Sequence, residues 1–340
     1  MQHFFEYFFE TCKKYVCKQH FSVCDDCLQS HCDIISQWLF CIDFEDYIKY
    51  NTDKVRCFFM YKQKIGMSLE NDYYSIPTVD VVRLLKKIGF EAISPSWKSR
   101  ECLAEIVDVA NECGLIIQSL HGPFGFAGQL WTNDESLYGP ALEAHYSAID
   151  GCVEFNIPIM VMHVWAGFGY CVDGLVFNFS NFDKLVDYAK KRGIKLALEN
   201  TEGEEFLEAL LEHYKNEDTV GYCWDSGHEM CYNRSKDFLG KYGDRLLVSH
   251  INDNLGIRDV NGNITWHDDM HLLPYDGVAD WDYNIDRLKK ANHLDILNFE
   301  LNIYSRPERH ENDVYAEMSI ERYFTLAYQR ACKIAYKYSR

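Results

Sequence analysis

From residue 64 onward the chain alternates between two hydrophobic patterns. Short, mostly apolar runs predict strands at 64–68 (KIGMS), 90–94 (FEAIS), 115–120 (LIIQSL), 158–163 (PIMVMH), 194–199 (IKLALE), 219–225 (TVGYCWD), 245–250 (RLLVSH) and 295–300 (DILNFE). Between them, apolar residues recur at helical spacing over 79–88, 101–112, 140–155, 182–192, 204–215 and 281–292, with a last helix near 315–337. Gly89, Gly114, Gly193 and Gly243 stand where helices would stop before the next strand. Strands alternating with helices eight times over about 270 residues predict an α/β fold, with 64–337 forming a (β/α)8 TIM barrel. A doubly wound open sheet is the rival. It is weakened because "NDYYSIP" follows the first strand, where a phosphate-binding turn would need glycines.

The strand ends carry the chemistry. His163, Glu199, Asp225, His250 and Glu300 end strands 4 to 8, and His121 follows strand 3 in "LHGPFG". A barrel turns the C-terminal ends of its strands toward one shared mouth, where active-site residues sit. Any one of these side chains has a plainer reading, as a helix N-cap, a surface ion pair or a structural histidine. Their joint occurrence argues otherwise: clustered carboxylates and imidazoles are costly as unpaired charge, and a divalent cation relieves the repulsion. A second layer adds His228, three residues after Asp225, and the pair Asp269 and His271, which an extended backbone would turn to one side. Glu205 lies within reach of a ligand at the mouth. Trp97, Trp131, Trp165 and Trp266 fall in or near the loops, where flat apolar faces would suit sugar rings or simply pack.

Composition and charge narrow the partners. With 47% hydrophobic and 25% charged residues the chain is ordinary globular material, but its 52 acids against 34 bases give a net charge of −18. That balance, with no run of Lys or Arg to offset it, repels nucleic acid and anionic membrane surfaces. The start "MQHFFEYFFE" contains Glu6 and Glu10 and lacks the basic stretch of a secretion signal, and no apolar run reaches membrane-spanning length. The expectation is a soluble, cytoplasmic protein. Cysteine changes the picture at one end: seven of the 14 fall in the first 57 residues. Residues 12–32 (CKKYVCKQHFSVCDDCLQSHC) could fold around zinc, though the spacing is irregular. The preferred reading of 1–60 is a short Cys-rich helical extension whose cysteines are buried as small hydrophobes or free, and not a disulfide framework.

Taken in order and spacing, "HGPFG", "MHVW", "LALENTEG", "CWDSGHEM", "SHINDN", "HLLPYDGVADW" and "LNFELN" resemble the xylose isomerase-like barrel superfamily over roughly residues 64–330. That superfamily holds sugar and sugar-phosphate isomerases and epimerases together with abasic-site endonucleases of the endonuclease IV type. The resemblance implies a metal site of Glu199, Asp225, His250 and Glu300, with Glu199 and Glu300 acting as acid and base. It implies substrate contacts from Glu205 and His228, joined in the isomerase reading by His121, His163, Asp269 and His271. Mn2+, Mg2+, Co2+ or Zn2+ would serve as the divalent metal, a small sugar or sugar phosphate as substrate, and a homo-oligomer is allowed. In the endonuclease branch, His121, His163, His228, Asp269 and His271 would instead be extra ligands of a three-zinc site. Against that branch stand "HINDNLG", "ENTEGEE" and "HLLPYDG", which differ from the nuclease loops, and the negative charge. Against the characterised ketose epimerases, Gly256 occupies the place of an arginine, with Arg258 nearby. A catalytically silent sugar-binding barrel is a third reading, disfavoured by the presence of both Glu199 and Glu300.

Overall fold

The computed structural model describes residues 61–69, 76–171 and 176–340. The Cys-rich segment 1–60, with its zinc question, lies outside the described residues. The strands are β1 (Lys64–Leu69), β2 (Ala92–Pro95), β3 (Ile116–Ile117), β4 (Leu120–His121), β5 (Ile159–His163), β6 (Lys195–Glu199), β7 (Val220–Asp225), β8 (Leu246–His250) and β9 (Ile296–Phe299). They run in two hydrogen-bonded orders, β3-β2-β1-β9 and β4-β5-β6-β7-β8, and every pairing between them is parallel. Two parallel bridges, Ser96 with His121 and Ile251 with Phe299, join the orders at both edges. The two orders thereby close into a TIM barrel.

The predicted third strand is one stave that changes partner midway. β3 pairs with β2 and β4 with β5, and between them the Gln118 amide donates to the Ile93 carbonyl at 3.0 Å. Inside the step, the Ser94 and Ser119 hydroxyls meet at 2.8 Å. The switch tilts His121 into register with Val161 of β5 and so into the mouth.

The helices form where the periodicity places them, and their apolar faces cover the barrel. Thr78–Ile88 buries Val81, Val82, Leu85 and Ile88. Arg100–Cys113 starts on Ser99, whose hydroxyl accepts from the Cys102 amide at 3.3 Å, and stops on Gly114 with φ 65°. Ser180–Arg192 stops on Gly193 in the same left-handed conformation, φ 72°, which glycine adopts without the Cβ clash of other residues. Gly243 ends a short helix, Phe238–Tyr242, but with φ −61°. Its missing Cβ serves packing instead, since one built there would lie 2.9 Å from the Ala291 Cβ. The helix expected over 140–155 begins earlier, at Glu135, because Asp134 caps it by accepting from the Ser136 amide at 2.9 Å. The last helix is Ile320–Tyr338, capped by Ser319 and preceded by the turn Asp313–Ala316. Among the described residues, no helix is long and apolar enough to cross a membrane.

Leu85, on the inner face of the helix Thr78–Ile88, is fully buried. Leu85→Ala should lower the unfolding free energy by about 2–5 kcal/mol, seen as a fall in the denaturation midpoint. An unchanged midpoint would contradict this packing.

Candidate metal centre

Along a strand, alternate side chains share a face, and here that alternation sorts two chemistries into layers. Val161, Ala197, Cys223 and Val248 form a fully buried apolar cluster contributed by β5 to β8. Two residues further on, the same four strands end in His163, Glu199, Asp225 and His250, so the donors form a polar layer directly above that floor. The register pairs His163 with Glu199 and Asp225 with His250. Glu300 follows β9, its amide donating to the Ile251 carbonyl at 3.2 Å across the closure.

Glu199 is the hub. One carboxylate oxygen, Oε2, lies 3.2 Å from His121 Nε2 and 3.4 Å from His163 Nε2. The other, Oε1, lies 3.0 Å from His250 Nδ1 and 3.5 Å from His228 Nδ1. His250 Nδ1 also approaches Glu300 Oε2 at 2.5 Å, which links the two glutamates through one imidazole. On the far side, Asp269 Oδ1 is 2.7 Å from His271 Nε2 and 3.4 Å from His228 Nε2. Nine of the ten residues singled out from the sequence therefore converge. Glu205 stands apart in the first turn of the helix Glu204–His213, and the partner of its carboxylate is the Tyr170 hydroxyl at 2.9 Å.

The donor atoms fall into overlapping groups, each within 4.8 Å across: His121, His163 and Glu199; Glu199, Cys223 and His250; Glu199, Asp225, His250 and Glu300; and Asp225, His228 and His271. The four-residue group is the set expected to hold a metal. Three observations fit a cation there. Among the described residues, the charged partners of Glu199 and Asp225 are histidines alone. Buried Nδ1 of His228, Oδ1 of Asp269 and Nε2 of His271 make no well-aligned hydrogen bond although they face other donors of the cluster. The remaining oxygens are oriented from behind: Asp225 Oδ2 accepts from Asn252 Nδ2 at 2.9 Å, and Asp225 Oδ1 accepts from the His228 amide at 2.7 Å. Asp225 is thus a helix N-cap and a cluster member at once, since a carboxylate has lone pairs for both.

Protonation in this cluster is set by competition between burial and neighbours. Burial opposes ionisation of Glu199, but the His250 charge and hydrogen bonds from His121, His163 and His250 hold its carboxyl well below the ordinary value. Burial, together with Glu199 and Glu300, pushes Asp225 up to about 6. Burial also works against charge on His250 and His271. The Glu300 and Glu199 carboxylates nevertheless hold His250 well above the usual imidazole value, and Asp269 and Glu300 raise His271 to about 9. Protons on the imidazoles thus balance the carboxylates. Burial drives the Cys223 thiol up to about 12, which keeps it protonated beneath the donors.

Several residues that matter here were not singled out from the sequence. Phe124 stacks on His121 with ring centroids 4.1 Å apart and is 41% exposed, so it is the aromatic face at the mouth. Three of the four tryptophans near the loops take the packing role that the sequence also allowed: Trp97 against Gly151, Trp131 among Phe182 and Phe206, and Trp165 flat on Phe206 at 4.1 Å. Trp266 alone of the four is exposed, 52%, near Arg306. Asp253, fully buried, pins the long loop after β8: Oδ1 accepts from the Asn254 and Ala279 amides, and Oδ2 accepts from the Tyr275 amide and the Trp281 indole. That brace explains why "NDN" and "PYDGVADW" occur together in one chain. Asp269 and His271 do share one side, though not through an extended backbone: His271 has φ 52°, a left-handed residue held by the Asn302 amide on its carbonyl.

The sequence pattern of the xylose isomerase-like TIM barrel family matches residues 82–320. This chain belongs to that family. Among its curated relatives, an uncharacterised protein of Sinorhizobium fredii is 35% identical over 136 residues, covering 38% of this chain and 40% of that protein. An uncharacterised protein of Methanocaldococcus jannaschii is 26% identical over 197 residues, covering 53% of this chain and 63% of that one. The chain thus spans less than two thirds of the length of either. Proteins of known structure share the fold: IolI with a zinc atom has a TM-score of 0.62 at 20% identity, over 81% of this chain and 99% of that one. The 3-keto-D-glucoside 4-epimerase of E. coli has a TM-score of 0.57 at 17% identity, over 79% and 99% of the two chains. D-allulose 3-epimerase from Methylomonas in complex with D-allulose has a TM-score of 0.54 at 17% identity, over 78% and 94%.

Because metal binding requires neutral imidazoles, uptake of a divalent cation at neutral pH should release protons. His250, the imidazole among the four donors, binds its proton more tightly than free imidazole, so metal affinity should rise with pH above neutrality. Calorimetry in buffers of different ionisation enthalpy reads this directly. Uptake without proton release would contradict the assignment.

Proposed function

We propose that this protein is a divalent-metal-dependent sugar or sugar-phosphate isomerase or epimerase, with Glu199, Asp225, His250 and Glu300 as metal ligands. The observation that carries this reading is the placement of Glu199 and Glu300 on different staves, each close to His250 Nδ1, at 3.0 and 2.5 Å. Two carboxylates so disposed reach a bound sugar from different sides. A divalent cation held there would acidify the C–H beside a carbonyl by stabilising the enediolate. One glutamate then removes that proton and the other returns one to the neighbouring carbon or to the opposite face. His250 would share the cation with the two carboxylates, and Asn252 orients Asp225. His121, His163, His228, Asp269 and His271 line the same mouth and would contact the substrate hydroxyls, and Phe124 offers an apolar ring face. Glu205, paired with Tyr170, would act from the rim. The sugar epimerases among the structural neighbours support the same substrate class.

Turnover in D2O should place deuterium in the product, and Glu199→Gln and Glu300→Gln should each lower kcat by about 10²–10⁴-fold while metal remains bound. Product free of deuterium at every carbon would remove the two-base proposal and point to hydride transfer.

One observation favours a second reading. The flanking groups, His121 and His163 on one side and His228, Asp269 and His271 on the other, abut the central four, and three ions could share them. Such a centre would suit hydrolysis of a phosphodiester at an abasic site. The net charge of −18 disfavours duplex DNA as a partner. The isomerase reading predicts about one divalent ion per barrel by elemental analysis and no incision of an abasic-site duplex at physiological salt. Three zincs per barrel, with incision lost in Glu199→Ala, would replace it by the nuclease reading.

A further inference from the structure

The imidazole and carboxylate donors stand at the ends of β4 to β9, and the two remaining staves, β1 and β2, carry hydroxyls near theirs. The ladder sets Ser68 of β1 beside Ser94 of β2. Ser94 is occupied by its bond with Ser119, and both are buried. Ser68 stands differently. We propose that Ser68 is a substrate-contacting residue, its hydroxyl donating to the oxygen on the substrate carbon that faces Glu300. The inference rests on the isomerase reading, in which that oxygen gains negative charge as the enediolate forms.

Three observations place Ser68 in that position. It points into the barrel: its Oγ accepts from Asn298 Nδ2 at 2.8 Å, and Asn298 stands two residues before Glu300, on the same face. Gly66, two residues before Ser68, faces Asn298 as well, since a Cβ built there would lie 2.8 Å from Asn298 Oδ1. Ser68 is also the neighbour of Glu300. The last ladder pair between β1 and β9 is Met67 with Phe299, and Ser68 and Glu300 are the next residues on those strands, which run about 4.8 Å apart. Finally, Ser68 is partly exposed, whereas Met67, Leu69, Ser94, Ser119 and Asn298 around it are all buried. A side chain that points inward near the C-terminal end of a barrel strand meets solvent through the mouth.

The bonding of Ser68 fixes which ligand atom it takes. A hydroxyl offers one donor and two acceptor sites. Asn298 uses an acceptor site, and among the described residues nothing accepts the Ser68 proton. The Asn298 amide therefore both orients the hydroxyl and polarises it toward a further acceptor. A ligand oxygen complements this arrangement.

Such a donor differs in kind from the imidazoles across the mouth. Those donate only while they carry protons, and a bound cation displaces the proton from a histidine that ligates it. The Ser68 hydroxyl keeps its proton whether or not a cation is present. Hydrogen bonds to charged oxygens are stronger than bonds to neutral ones, so the contact tightens as charge develops beside Glu300. That differential is what assists the reaction, beyond holding the substrate.

The test is calorimetric titration of glycolohydroxamate, whose adjacent oxygens and negative charge imitate an enediolate, into the full chain loaded with Mn2+. The parent should bind it, and Ser68→Ala should weaken binding about tenfold or more with Mn2+ affinity unchanged. Ser68→Cys, close in shape but a weak donor, should weaken it as well. Should Ser68→Ala fail to fold because Asn298 loses its acceptor, Ser68→Cys decides alone. Hydroxamate binding at parental strength in these variants overturns the contact and leaves the isomerase reading standing. So does a loss of Mn2+ affinity in step with the loss of hydroxamate, which would place the effect of Ser68 on the metal site and not on the ligand. A Mn2+-loaded parent that binds no hydroxamate sinks the enediolate reading and the contact with it.

Discussion

Glu199 is 1% exposed, and its two oxygens face four imidazoles, so its charge is stabilised by neighbouring side chains and not by water. Asp225 and Glu300 are buried in the same layer, at 0% and 4% exposure. Like charges at such spacing, out of water, demand compensation by protons or by a cation. The elevated proton affinity of His250 and His271 is the proton solution. A divalent cation would be the other, and in the proposed reading it would leave the glutamates ionised. Much of the surrounding structure serves to hold this arrangement. Asn252 fixes Asp225, and Asp253 braces the loop that carries Asp269 and His271.

The strand register is what makes the layer possible. A slip of one residue in β6 would send Glu199 outward and Leu198 into the mouth, because side chains alternate faces. The apolar floor of Val161, Ala197, Cys223 and Val248 opposes such a slip by filling the barrel just below the donors. Stability and chemistry therefore depend on the same alternation, one step apart along each strand. The parallel closure between Ile251 and Phe299 does the same for Glu300, whose amide donates to the Ile251 carbonyl.

This explains what the sequence could and could not disclose. Strand-end donors were legible because a period of two and the barrel's one-sided mouth are properties of each segment and of the fold class. The alternating helices were legible from their own apolar stripes. Features that depend on a distant partner were not. The stave around Gln118 and Ser119 breaks because β2 and β5 pull it in two directions, which no local pattern records. The left-handed backbone at His271 depends on Asn302, and the helix boundary at Glu135 on the cap from Asp134. For Trp97, Trp131 and Trp165 the sequence left ring platform and packing both open, and the contacts with Gly151 and Phe206 decide for packing. Phe124 takes the exposed position instead, visible in advance only as one letter of "HGPFG".

The central claim, that Glu199, Asp225, His250 and Glu300 together hold a catalytic divalent cation, is tested most directly by anomalous diffraction from crystals of the protein grown with Mn2+. The account predicts one strong anomalous peak bounded by those four side chains, with the flanking histidines turned toward the mouth. A structure with Mn2+ absent from that position, or bound only at His228, Asp269 and His271, would contradict it.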